Sequence, residues 1–86
     1  MTRLSLTIKK YVMIFNQLLD KNIVVKTHDN WIMFYYQDNI IATICYVNDV
    51  FKFSVADWEV NDKILAKLDP IIGKVSLMNL EVKGLL

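Results

Sequence analysis

Between Trp31 and Val55 three apolar runs, WIMFYY, IIATICYV and VFKFSV, are separated only by Gln37-Asp38-Asn39 and Asn48-Asp49. A fourth run, Ile23 to Thr27, precedes them across His28-Asp29-Asn30. Apolar positions recur with a period near two and turn-forming residues return about every ten positions, which predicts four short antiparallel strands in a meander, paired in the order 1-2-3-4. With Asp38-Asn39 and Asn48-Asp49 as two-residue turns, Tyr36 faces Ile41, Phe34 faces Thr43, Tyr46 faces Phe51 and Ile44 faces Phe53. The core face is then Trp31, Met33, Tyr35, Ala42, Ile44, Tyr46, Phe51, Phe53 and Val55. A three-residue loop at His28-Asp29-Asn30 adds Ile23 and Val25 to it. The other face carries Val24, Lys26, Ile32, Phe34, Tyr36, Ile41, Thr43, Cys45, Val47, Lys52 and Ser54.

The flanking segments follow a different period. From Ser5 or Thr7 to Lys21, apolar side chains fall at Leu4, Ile8, Tyr11, Val12, Phe15, Leu18 and Leu19, which predicts an amphipathic helix with Ser5 or Thr7 as its N-cap and Asn22 at its end. Met13 and Ile14 lie off that stripe. Asp57 or Asn61 is a candidate cap for a C-terminal helix, with Asp57 and Glu59 as helix-start charge. From Val60 a stripe runs through Ile64, Leu68, Ile71, Val75, Met78, Val82 and Leu85 in alternating steps of four and three. Pro70 removes a hydrogen bond and clashes with the preceding turn, at about 3 kcal/mol in a helix interior, so the pattern favours one helix to Leu68 and a second from Pro70 toward Lys83. A competing reading ends the helix at Gly73 and makes Leu80 to Leu86 a fifth strand. The fold expected is an α+β single domain over residues 1–86: an N-terminal helix, the meander, one or two C-terminal helices, and a two-layer α/β sandwich.

Composition sharpens this picture. A chain of 86 residues has room for one core, and 55% hydrophobic residues is more than so small a core can hide, so some apolar surface awaits a partner. Ten basic against nine acidic residues leave a net charge of +1 and no long-range field for phosphate or anionic lipid. A single cysteine excludes an internal disulfide and a Cys-rich zinc site. Lys9 and Lys10 interrupt the first apolar stretch, and no run approaches the roughly 20 residues of a spanning helix. The expected location is the cytoplasm, without membrane contact. The preference for lysine over arginine, with abundant Ile and Asn, fits an AT-rich bacterial or phage genome.

Candidate chemistry is sparse. A nucleophilic pair would require Cys45 and His28, which the register separates by two strand spacings, roughly 10 Å; Cys45, facing Ile32, reads as a buried inert thiol. His28, Asp29 and Asn30 share one end of the sheet with Asn48 and Asp49, but Asx residues in hairpin turns need no ligand to explain them. No phosphate-cradling loop or metalloprotease motif is present. No catalytic, metal or cofactor residues are therefore assigned, and the chain is expected to be a noncatalytic protein-binding module: an inhibitor, adaptor or regulatory subunit, phage or mobile-element encoded. Phe34, Tyr36 and Ile32 on the second sheet face, Lys26 and Lys52 at its edges, and Leu77 and Leu80 off the C-terminal stripe form the candidate interaction surface. Two uses follow from it, a homodimer contact and an aromatic platform with basic edges on which single-stranded nucleic acid stacks.

Overall fold

The computed structural model describes residues 2–56 and 62–86. The element order is α1 (Arg3–Leu18), β1 (Ile23–His28), β2 (Trp31–Tyr36), β3 (Asn39–Val47), β4 (Val50–Val55) and α2 (Asp62–Val82). The strands form one antiparallel sheet in the order β1-β2-β3-β4, with the helices packed on it as an α+β arrangement. The candidate caps Asp57 and Asn61, with Glu59 and Val60, lie outside the described residues.

Helix α1 starts earlier than its pattern suggested. Thr2, in extended conformation, is the N-cap, and its hydroxyl accepts a hydrogen bond from the Ser5 N–H at 3.0 Å. Thr7 turns inward instead, its hydroxyl donating to the Arg3 carbonyl at 2.8 Å. The helix closes at Leu19 rather than Asn22, whose N–H donates to the Asp20 carboxylate at 2.9 Å. Ile8, Tyr11, Phe15 and Leu19 form the buried stripe, and Leu18 is exposed.

The C-terminal segment is one helix, neither broken at Pro70 nor converted to a strand after Gly73. Pro70 and Ala66 are both exposed, so water can hydrate the carbonyl that loses its donor. Leu68, Ile71 and Met78, all fully buried, hold the helix down on both sides of the proline. Burial of each such side chain contributes about 1.5–3 kcal/mol, which together exceeds the proline penalty. The two helices run antiparallel: Lys10 in α1 pairs with Glu81 near the end of α2, and Lys67 early in α2 pairs at 2.6 Å with Asp20 just after α1.

The sheet differs from its expected register at two turns. The β2–β3 turn is Gln37-Asp38, both left-handed with φ of 51° and 64°, and it sets Tyr36 opposite Asn39. The register then shifts between Phe34 and Tyr35, leaving Ile41 as the extra residue of a bulge, so Phe34 pairs with Ala42 and Ile32 with Ile44. Ile41 and Ala42, consecutive in the chain, are both buried. A one-residue difference in pairing inverts a strand, so Ile32 and Phe34 are fully buried while Trp31, expected in the core, is 44% exposed. The β1–β2 loop has two residues, Asp29-Asn30, rather than three. That second difference cancels the first for β1, so Ile23 and Val25 face the core as expected but share it with Phe34 and Tyr36 instead of with Trp31, Met33 and Tyr35. The β3–β4 pairing is the expected one, with Tyr46 opposite Phe51 and Ile44 opposite Phe53.

Packing explains why this face wins. Phe15 of α1 meets Phe34 edge-on, with ring centroids 5.5 Å apart at 70°, and Tyr46 lies against Phe51 at 4.8 Å. Both helices contribute to the cluster centred on Ile32, Phe34 and Ile44, which makes the molecule two layers thick.

Candidate interaction surface

The face of the sheet turned away from this cluster is built by strand alternation. The pairings align His28, Trp31, Cys45 and Lys52 in one row across the four strands, and Lys26, Met33, Thr43 and Ser54 in the next. Val24 and Tyr35 form a third, shorter row beyond which the bulge begins. Val24 and Val47 are about as exposed as Trp31, whereas Met33, Tyr35 and Cys45 are half-buried by their neighbours.

Several contacts stiffen this surface. The Lys26 ammonium lies 5.1 Å from the centroid of the Tyr35 ring, a cation–π geometry, and the Tyr35 hydroxyl approaches the Met33 sulfur at 3.8 Å. Val24, Lys26, Tyr35 and the turn residue Asp38 line a recess of about 160 Å³. The strand positions of this face carry Lys26, Lys52 and His28 and no carboxylate; Asp29, Asp38 and Asp49 sit in the turns at the two ends.

The residues singled out from sequence separate into three groups. Ile32 and Phe34 are fully buried under the helices, and Tyr36 is half-buried against the same core, so none of the three belongs to an open sheet surface. Lys26 and Lys52 are exposed on the open face. Leu77 is half-buried against the core, and Leu80 is 40% exposed on α2. Cys45 pairs with Trp31 rather than Ile32 and is half-buried on the open face. The His28 ring lies 3.4 Å from the Asp29 carboxylate, and β2 stands between it and Cys45. Among the described residues, no three His, Cys, Asp or Glu side chains converge in a way that could hold a metal ion, and no helix is long and apolar enough to cross a membrane.

Asn79 has a role that its pattern did not suggest. From α2 it reaches the outer edge of β4, where its side-chain oxygen accepts from the Phe51 N–H at 2.7 Å and its amide nitrogen donates to the Phe51 carbonyl at 3.2 Å. The amide occupies both backbone groups that another strand would use. A lone Asn beside the core residue Met78, in an otherwise apolar Leu77-to-Leu80 run, was the available signal.

Charge is concentrated between the helices. Glu81 is held below the usual carboxylate range, first by Lys10 and then by Tyr11. Burial, followed by the influence of Glu81, pushes the Tyr11 hydroxyl up to about 12. Lys67 lowers Asp20, and Asp20 raises Lys67 in return. These groups join helix to helix and helix to loop, away from the open sheet face. No protein-family model, curated protein or solved structure matches the chain.

Proposed function

We propose that this chain is a noncatalytic protein-binding module, acting as an inhibitor, adaptor or regulatory subunit, and that the open sheet face is its binding surface. The observation that supports this reading is the exposure of Trp31 at 44%, on a central strand, amid Met33, Tyr35, Val24 and Val47. Tryptophan and tyrosine on a rigid sheet lose little conformational freedom on binding, and they dominate the energetics of protein interfaces. Lysines without carboxylates at the strand positions favour a partner with an apolar centre and acidic side chains at its margin. The measurement is capture from a lysate of the source organism, followed by titration of the purified captured protein. Trp31→Glu should abolish the interaction with circular dichroism and urea midpoint unchanged, whereas Lys63→Glu on α2 should leave it intact. Equal binding by Trp31→Glu refutes the assignment.

A second reading, single-stranded nucleic acid stacking on the sheet, is favoured by one observation: Trp31 and Lys52 lie in the same row. The net charge of +1 and the turn carboxylates at both ends of the sheet argue against a phosphate backbone crossing it. Titration of labelled oligonucleotides at low and moderate salt distinguishes the two. Salt-sensitive binding that is lost in both Trp31→Ala and Lys52→Ala would establish the nucleic-acid reading in place of the first.

A further inference from the structure

The two edges of the sheet are treated differently. On β4 the Asn79 amide takes the Phe51 N–H and carbonyl. On β1, the only such bond among the described residues is from the Ile23 N–H to the Asp20 carbonyl at 2.9 Å. The common devices that protect an edge are absent here. Strand β1 contains no proline and pairs with β2 without a bulge from Ile23 to His28. Its one lysine, Lys26, leans inward over the Tyr35 ring on β2.

We propose that β1 pairs with β1 of a second copy of this chain about a two-fold axis, making one continuous eight-stranded sheet. This contact is separate from the open face assigned above to a protein partner. A two-residue hairpin loop directs the N–H and C=O of His28 toward Trp31, and alternation then directs those of Lys26 and Val24 the same way. The backbone groups of Ile23, Val25 and Thr27 therefore point outward. With the axis at Val25, the N–H of each Val25 meets the carbonyl of Val25 in the second copy, and each Thr27 N–H meets the carbonyl of its Ile23. The Ile23 N–H is already bound to Asp20, so the joint keeps the bonds at Val25 and those from Thr27 to Ile23, and the Thr27 carbonyl at each end is left to water.

Charge selects the same register. With Val25 on the axis, Lys26 lies across from Val24 of the second copy, and Asp29, whose side chain is 82% exposed, comes beside the second copy's Lys21 twice over. Moving the axis to Lys26 would place the two lysines face to face, and moving it to Val24 would set the committed Ile23 N–H against the Val25 carbonyl, at the centre of the joint rather than at its ends.

The helix layer is compatible with this joint. Beside the edge, Ile8, Val12 and Met13 of α1 line a groove of about 380 Å³ together with Thr27 and Asn30, and Met13 is 61% exposed. Helix α1 packs over β1 and reaches β2 through Phe15 and Phe34. Joining the edges at a strand spacing of about 4.8 Å brings the α1 helices of the two copies alongside each other, with the exposed Met13 of each beside the joint. Stable complexes bury about 800 Å² per partner, which the strand edge alone does not supply, so the flank of α1 beside it takes part in the joint.

The test combines mass and cross-linking. Light scattering coupled to size exclusion over a micromolar range should give twice the 10.1 kDa chain mass. Thr27→Pro should halve it, because the proline removes only an outward N–H from an exposed residue and leaves the β1–β2 ladder intact. In a Cys45→Ser background, Val24→Cys with Lys26→Cys should form a disulfide-linked dimer under mild oxidation, since those positions face each other at a close non-hydrogen-bonded pair. Neither single cysteine should do so. A monomer across the concentration range, an unchanged mass for Thr27→Pro, or cross-linking by Lys26→Cys alone would each overturn the proposal.

Discussion

Asn79 and Phe51 are joined by two hydrogen bonds, side-chain amide to backbone, across 28 positions of sequence. The pair ties α2 to β4 and occupies the outward backbone groups of Phe51 on that edge of the sheet. Replacing Asn79 with Ala leaves the Phe51 N–H, part-buried beneath α2, without its partner, and leaving a buried donor unsatisfied costs about 1–3 kcal/mol. Urea unfolding should show that loss as a lower midpoint with an unchanged slope. The same variant should associate at lower concentration than the parent, because a second free edge is opened.

Phe34 and Trp31 provide the sharpest test of the strand inversion. Phe34→Ala should cost about 3–5 kcal/mol, as expected for a large side chain removed from a packed core. Trp31→Ala should shift stability by less than about 1 kcal/mol, since its ring faces outward. Chemical denaturation of the two variants side by side decides the matter: a larger loss for Trp31 than for Phe34 would restore the opposite face assignment.

Gly73 lies within α2, and a Cβ built there meets no atom within 4 Å. Gly73→Ala should therefore stabilise the protein by roughly 1 kcal/mol, through helix propensity and reduced freedom of the unfolded chain. Thermal melting followed by circular dichroism should show a rise of several degrees. A fall would mean that the helix does not run through this position.

The ion pairs between helices set the pH limits of stability. Glu81 and Asp20 have folded pKa values below their ordinary 4.5 and 3.8, so their contribution is complete above those values and is lost as pH falls through the lowered ones. Tyr11 is shifted the other way, from 10.0 to about 12, so its contribution is complete below 10 and is lost as pH rises toward 12. Urea midpoints should be flat near neutrality and fall on both sides. Glu81→Gln should flatten the acid limb and reduce the alkaline one, and an unaltered acid limb would show that Glu81 carries none of it.

Period alone determined the kinds of element and their order. Short apolar runs between turn residues make strands, with alternation visible in VFKFSV, and the stripe from Leu68 through Met78 makes helix; that Pro70 does not interrupt it was decided by packing, which buries Leu68, Ile71 and Met78 on both sides of the proline. The Asn48-Asp49 turn was legible because both residues tolerate the left-handed conformation they adopt. The facing of β2 was not legible, because both of its alternating sets, Trp31-Met33-Tyr35 and Ile32-Phe34-Tyr36, are apolar and either would fill a core. Tertiary packing chose between them: the Ile41 bulge shifted the pairing by one residue, and Phe15 on α1 then met Phe34 and left Trp31 facing outward. The free edge of β1 was decided in the same way. Whether an edge is open depends on what reaches it through space, and Asn79 reaches Phe51 only once α2 has folded back along β4.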